Sequence, residues 1–280
     1  MMPAVRQCTT VVGRHLRAIS ATRASQAMLK RDQLLAELNA LLRPERQRDY
    51  CPNGLQVEGR EQIQRIVTGV TACQALLDAA LVQEADAVLV HHGYFWKGED
   101  ERVTGIKKQR LQTLLAADLN LFAYHLPLDV HPVLGNNAQL ARQLGLEVDG
   151  PLMPDRGDDS IGLVGHLPDV MSALEFARHL ESVLGRNVLH IGDDDDEIDT
   201  LGWCTGAAQG YIDHALALGM DAYVSGEISE QTVHFARETG IHYFACGHHA
   251  SERYGVQAVG AYLAQKFGIE HVFIDIDNPV

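Results

Sequence analysis

Three short stretches of this chain gather the side chains that bind metals or move protons: His91-His92-Gly93, His125-Leu126-Pro127-Leu128-Asp129 and Gly247-His248-His249-Ala250-Ser251-Glu252. In the last, His248 and Glu252 stand four residues apart, so on a helix the imidazole and the carboxylate share one face. That spacing can hold one or two metals. His249 lacks the offset to Glu252, which favours His248 as the ligand. Imidazole nitrogen combined with carboxylate oxygen suits zinc, manganese, iron or nickel. A bridging carboxylate lets two such cations lie roughly 3.5 Å apart around a water that ionises near neutral pH. The set expected to do this is His91, His92, Asp129, His248 and Glu252.

Position supports the set more than residue type does. Ala87 to Val90 is a short continuous apolar run, the kind that is buried on both faces of a parallel sheet, and the histidine pair follows it directly. Asn120 to Tyr124 is a second such run, and it leads into His125 and Asp129. Open α/β sheets bind their ligands at the carboxyl ends of such strands. A lone histidine is more often a satisfied structural group, so the joint placement carries the argument. His125, Glu227 and His234 are candidates for orienting ligands or transferring protons, with Glu227 and His125 retained as catalytic candidates. Phe95 and Trp96 follow the histidine pair and are placed to wall a pocket for a planar substrate, or to pack against a helix.

The elements that must position these groups follow from periodicity. From Asp32, placed to cap, the leucines 34, 35, 38, 41 and 42 recur at helical spacing until Pro44. Ile63 to Val70 reads as a strand, Gln74 to Glu84 as a helix, and Lys107 to Ala117 as a basic helix between the two histidine-bearing strands. The alternation β-α-β-α-β predicts an α/β fold. Residues 151 to 200 read as an insert or linker with a strand at Ile161 to Val164, a helix at Ser172 to Leu184 and the acidic run Asp193 to Glu197, taken as solvated loop charge. The second half then echoes the first. Thr68-Gly69, a helix, Asp86 and Ala87 to Val90 return as Thr205-Gly206, a helix, Asp221 and Ala222 to Val224. This predicts two related α/β lobes with largely parallel sheets: residues 28–150, and residues 201–280, which complete the metal site.

Composition narrows the function. Acidic residues number 37 against 23 basic ones, a net charge of −14, which repels phosphate backbones and anionic lipid surfaces. Nucleic acid is an unlikely partner by this measure. The cysteines at 8, 51, 73, 204 and 246 form no CxxC pair and read as free thiols in a reducing compartment. No apolar run reaches the roughly 18 residues of a membrane span. Residues 1–27 carry arginine, serine and threonine without an acid, so they read as a poorly ordered extension or as a mitochondrial transit peptide. The expected location is the cytoplasm, or the mitochondrion if that segment is a transit peptide.

Several of these stretches together resemble a known family. They are Asn53-Gly54-Leu55-Gln56-Val57, His91-His92-Gly93 with Trp96, His125 to Asp129 with Gly135-Asn136-Asn137, Ser225-Gly226-Glu227, and Gly247 to Glu252. In this order they are similar to the dinuclear-metal proteins known as GTP cyclohydrolase I type 2 homologues, of the NGG-one-interacting factor three group, from about Asp32 to Val280. The resemblance implies two divalent metals on His91, His92, Asp129, His248 and Glu252. It also implies two lobes facing each other across the metal cleft and a homo-oligomer, a ring-shaped hexamer. The amino-terminal extension departs from the bacterial members. The function expected is a metal-dependent hydrolase of a nucleotide-like or amide-containing small molecule, with Glu227 or His125 shuttling protons. Purine ring opening is what the family label implies, yet the chain has no GxxxxGK loop. The alternatives are a non-catalytic metal carrier or insertion factor, and a regulatory protein, whose DNA-associated form the charge disfavours.

Overall fold

The computed structural model describes residues 28–280; the expected extension or transit peptide, and Cys8 with it, lie outside the described residues. The first strands are β1 (Leu29–Lys30), β2 (Gly54–Val57), β3 (Gln62–Ile63), β4 (Arg65–Thr71), β5 (Ala87–His92) and β6 (Asn120–Ala123). Then come β7 (Glu147–Pro151), β8 (Leu163–Ser172), β9 (Leu189–Ile191), β10 (Glu197–Cys204), β11 (Ala222–Ser225), β12 (His242–Ala245) and β13 (Glu270–Phe273). They form a five-stranded sheet in the order β13-β4-β5-β6-β2, a six-stranded sheet in the order β7-β8-β10-β11-β12-β9, and the small pair β1-β3.

In the five-stranded sheet β13, β4, β5 and β6 run parallel, and β2 closes the edge antiparallel to β6. The central strands β4, β5 and β6 are mostly apolar because both faces are covered. Ile66, Ala87, Leu89 and Phe122 pack under the Arg31–Leu42 and Arg253–Phe267 helices through Leu34, Leu38, Val256, Val259 and Leu263. Their alternates Val67, Val88, Val90 and Leu121 face Leu76, Leu77, Ala80 and Leu114 of the Gln74–Val82 and Gly105–Ala116 helices. Successive side chains of a strand point to opposite faces, and each such buried aliphatic side chain stabilises the fold by about 1.5–3 kcal/mol.

The six-stranded sheet is mixed. Its centre, β10-β11-β12, is parallel, while β7-β8, β8-β10 and β12-β9 are antiparallel pairs. A largely parallel arrangement therefore holds for the first sheet and not for the second. Residues 151 to 200 supply β8, β9 and half of β10 to this sheet. Strand β8 has several exposed or half-exposed residues and so lacks the unbroken apolar run of a doubly covered strand. The predicted echo is visible in the parallel centres. The Asp86 carboxylate accepts from the backbone N–H groups of Gln64 and Arg65, and Asp221 accepts likewise from Asp199 and Thr200.

Sheet membership crosses the expected boundaries at the end of the chain. The Arg253–Phe267 helix and β13 return to the first sheet, where Glu270 to Phe273 align with Arg65 to Thr68. His248 to Glu252 lie at this crossing. At the other end, the first helix starts at Arg31 with Lys30 as its N-cap, so Asp32 sits in the first turn and is not the cap. Arg43 at φ 49° and then Pro44 end it, since proline lacks the amide proton that another turn requires. Among the described residues no helix is long and apolar enough to cross a membrane, and Cys51, Cys73, Cys204 and Cys246 are free thiols.

Candidate metal centre

The histidine pair forms the last two residues of β5, one step earlier in the fold than a loop position. His91 is completely buried, and its Nδ1–H donates to the carbonyl of Tyr124 at 3.0 Å, leaving Nε2 as the free ring nitrogen. His92 pairs its Nδ1 with the Thr71 hydroxyl at 3.1 Å. His248 opens the short His248–Ser251 helix and holds its Nδ1 against Glu227 Oε1 at 2.8 Å. Each imidazole is thus fixed through one nitrogen while the other points inward, the arrangement that orients metal-binding histidines.

The inward atoms converge on Glu252. His91 Nε2 lies 3.5 Å from Glu252 Oε1 and 3.5 Å from Asp129 Oδ1, while His92 Nε2 and His248 Nε2 approach Glu252 Oε2 at 3.3 and 3.2 Å. His91 Nε2 and Glu252 Oε2 are nevertheless buried without a hydrogen-bond partner. His91, Asp129 and Glu252 offer ligand atoms within 4.8 Å of one another, as do His92, His248 and Glu252, and also His91, His92 and His125. These groups could hold a metal ion. All five expected ligands are brought together, with Glu252 common to two groups.

Loops around the centre keep it in register. Asp129, on the Leu126–Val130 helix, accepts from Asn136 Nδ2 at 2.9 Å and from the Thr205 hydroxyl at 3.4 Å. Asn136 in turn accepts the backbone N–H of Gly255, and Asn137 accepts that of Thr205. These two asparagines join the two sheets at the site. Gly206, at φ +72°, leaves room for Glu252: a Cβ there would stand 2.2 Å from Glu252 Oε1.

Charge is concentrated here. Burial opposes protonation of His91, but the Asp129 and Glu252 carboxylates outweigh it and raise the imidazole to about 9. Burial likewise opposes His248, which Glu252 and Glu227 bring up to about 9. Burial, reinforced by the neighbouring imidazoles, pushes His92 down to about 3 against the pull of Glu252. Burial raises Asp129, with Glu252 adding to it, whereas His91 and His92 overcome the burial of Glu252 and hold it well below the carboxylate range. The pocket favours positive charge at His91 and His248 and opposes it at His92.

The remaining candidates separate clearly. His125 lies beside the pair, its ring centroid 5.0 Å from His91 and 5.7 Å from His92. Glu227 stands behind His248 on the Nδ1 side. Trp96 packs edge-on against His125 at 4.9 Å and reaches His92 at 6.0 Å, while Phe95 lies under Lys107, whose Nζ is 5.4 Å from the ring. His249 pairs with Asp275 at 2.7 Å, and His234 is exposed on the Glu230–Thr239 helix. Cys246 is in the core. In the acidic run Asp194 and Asp196 pair with His190 and His242 at its edge. Asp49, Thr71, Thr205 and Ser251 were not among the expected site residues. Each is a common turn or hydroxyl residue whose role depends on a distant partner, and only the Asn53 turn beside Asp49 marks that region in the sequence.

A cavity of about 170 Å³ lined by Thr71, His92, His248 and His249 adjoins the centre. A larger one, about 590 Å³, reaches Asp129 between Arg43, Arg46 and Leu163.

With that geometry in hand, the comparisons are specific. The model of the Duf34/NIF3 (NGG1p interacting factor 3) family matches residues 29–279. A Pseudomonas aeruginosa protein named GTP cyclohydrolase 1 type 2 homolog is 61% identical over 246 residues, covering 88% of this chain and 97% of its own. A Vibrio cholerae protein of the same name is 55% identical over 250 residues, with 89% and 98% covered. Among solved structures, the protein ybgI, described as of unknown function, superposes with a TM-score of 0.85 at 48% identity, covering 90% of this chain and all (100%) of its own. TTHA1606 from Thermus thermophilus gives 0.79 at 33% identity, with 90% and 100% covered.

Proposed function

The chain belongs to the Duf34/NIF3 family, and from that premise we propose that His91, His92, Asp129, His248 and Glu252 hold two divalent cations in a hydrolase of a nucleotide-like or amide-containing small molecule. One observation carries the reading: His91 Nε2 and Glu252 Oε2 are buried without a well-formed hydrogen bond, facing only imidazole and carboxylate groups of the set at 3.2–3.5 Å, while the opposite nitrogens of all three ligand imidazoles are engaged. Leaving a polar atom buried and unpaired costs about 1–3 kcal/mol, and a cation bound between such atoms removes that cost. Glu252 is common to the His91–Asp129 group and the His92–His248 group, and if both groups were filled it would serve each of them. Zinc, manganese, iron and nickel all suit this donor set.

Bound cations would supply Lewis acidity and a water ionised near neutral pH. The chain's own residues do the rest. Tyr124, Thr71 and Glu227 fix the ring planes of the ligand histidines, and Asn136 and Thr205 aim Asp129. His125, beside His91 and His92 but outside the ligand set, is placed to accept and return a proton. Glu227 acts on His248, drawing charge through the imidazole. Trp96 forms a wall over His125 and His92 that suits a planar substrate.

The finer architecture follows the same family reading: two lobes, one on each sheet, facing each other across the centre in a cytoplasmic ring of six copies. Bacterial relatives support the location.

The deciding experiment is elemental analysis of the purified protein beside a His92→Ala/Glu252→Ala variant, followed by a hydrolase substrate screen with metal restored. Two metals per chain, lost in the variant, together with metal-dependent turnover, support the hydrolase. Exchangeable metal without turnover makes the protein a metal carrier. A wild type that neither holds nor takes up metal refutes both.

A further inference from the structure

Asp49 lies outside every stretch expected to carry chemistry, yet one wall of the centre hangs on its carboxylate. Its side chain is 4% exposed. Oδ1 accepts from the backbone N–H of Tyr50 at 2.6 Å and faces His125 Nδ1 at 2.7 Å. Oδ2 accepts from Asn53 Nδ2 and from the backbone N–H of Leu126, both at 2.9 Å. Asn53 then turns its own Oδ1 to the backbone N–H of His125 at 2.7 Å. His125 is therefore gripped at ring and backbone by one turn, residues 49–53.

Two roles are available to a carboxylate beside an imidazole near a metal centre, and the hydrogen bonds choose between them. Asp49, Cys51 and His125 do offer ligand atoms within 4.8 Å of one another. A carboxylate has about four lone-pair sites, however, and four partners already occupy those of Asp49. It has no oxygen left for a cation. Burial pushes the Asp49 carboxyl upward, but the hydrogen bond and charge of His125, with the hydrogen bonds from Asn53 and Tyr50, outweigh it and leave the group below the usual range, and so ionised. An ionised oxygen at 2.7 Å requires a proton on His125 Nδ1, because the other tautomer sets two lone pairs against each other.

We propose that Asp49 is a positioning residue for the centre: it holds His125 as the Nδ1–H tautomer and so presents the Nε2 lone pair to the His91–His92 side. A ring nitrogen of His125 lies within 4.8 Å of ring nitrogens of both those histidines, and because Asp49 already engages Nδ1, Nε2 is the nitrogen left to serve that side. Trp96, packed edge-on against the ring at 4.9 Å and 85°, restrains its plane. The inference rests on the reading of His125 as the proton-handling group, and it adds the residue that decides which nitrogen does the handling.

The test is the tautomer itself. Full-length protein labelled with ¹⁵N-histidine, as purified and again with zinc restored, is examined by long-range ¹H–¹⁵N correlation, and His125→Gln assigns the signals. The wild type is expected to show neutral His125 protonated at Nδ1, and Asp49→Asn to shift it to a mixture of tautomers. Once a turnover assay exists, Asp49→Asn should lower turnover about 10- to 100-fold, the usual effect of removing such a carboxylate, with metal content unchanged. A wild-type His125 protonated at Nε2 overturns the proposal without any variant, and so does a tautomer that Asp49→Asn leaves unaltered. Absence of metal in the wild type would instead overturn the metal-centre reading, and the tautomer would still be readable.

Discussion

Gly206→Ala adds one methyl group at the most crowded point of the centre, and its effect follows from three distances. The new Cβ would lie 2.2 Å from Glu252 Oε1, 3.2 Å from Glu252 Cδ and 3.2 Å from His248 Nε2. An ordinary contact to that oxygen needs roughly another ångström, and a displacement of that size spoils ligand geometry that must hold to about 0.5 Å. Metal affinity should fall about 10- to 100-fold, comparable to losing an orienting group, or about 1.4–2.8 kcal/mol at 1.4 kcal/mol per decade. Separately, a non-glycine residue at φ +72° costs roughly 1–2 kcal/mol in the metal-free protein. Zinc titration gives the first quantity and denaturant unfolding in a chelator gives the second. Gly210→Ala is the control, since a Cβ there meets nothing within 4 Å. If Gly206→Ala binds zinc within twofold of the wild type, the argument that Glu252 is the shared ligand, held in place by that glycine, is wrong.

Metal binding should depend on pH with a definite sign. His91 and His248, both raised to about 9, carry protons at neutral pH and must release them to ligate, so affinity rises with pH and levels off above about 9; calorimetry in buffers of different ionisation enthalpy should register the released protons. Asn136→Ala removes the acceptor of the Gly255 N–H and a donor to Asp129, and is expected to destabilise the fold by about 1–3 kcal/mol in denaturant unfolding while weakening metal retention. Ser172→Ala, which removes a reciprocal N-terminal cap with Glu175, should cost about 1 kcal/mol and leave metal content as it is, a separation that elemental analysis checks. Trp203→Ala empties the largest fully buried side chain and breaks its hydrogen bond to Asn137, for about 3–5 kcal/mol by the same unfolding measurement.

What the sequence reveals is what local rules encode. Ala87 to Val90 and Asn120 to Ala123 are buried on both faces, so their apolar runs are nearly unbroken, and the histidines at their ends stand out by contrast. The offset between His248 and Glu252 works because a single turn of helix joins them. What remains hidden depends on partners far along the chain. Strands β7 and β8 are partly exposed and carry no continuous apolar signature. The return of β13 to β4 depends on the Arg253–Phe267 helix packed on the first sheet and on distant pairs, Glu270 with Arg65 and His271 with Thr68. Asp49 looks like an ordinary turn residue until His125 is folded against it. Glu227 is legible as a polar group at a strand end, but its place behind His248 requires the fold.

The crossing at His248 to Glu252 also orders events during synthesis. Strand β4 has β5 on one side and β13 on the other, and β13 is synthesised long after both. Until then the first sheet keeps one edge open, and an open edge invites pairing with other chains. The segment that closes it follows directly on His248 and Glu252, so a nascent chain can neither close this sheet nor gather the proposed ligands until these residues have been made. A product cut short before His248 would lack two of the proposed ligands and keep that edge open, and so be prone to aggregate.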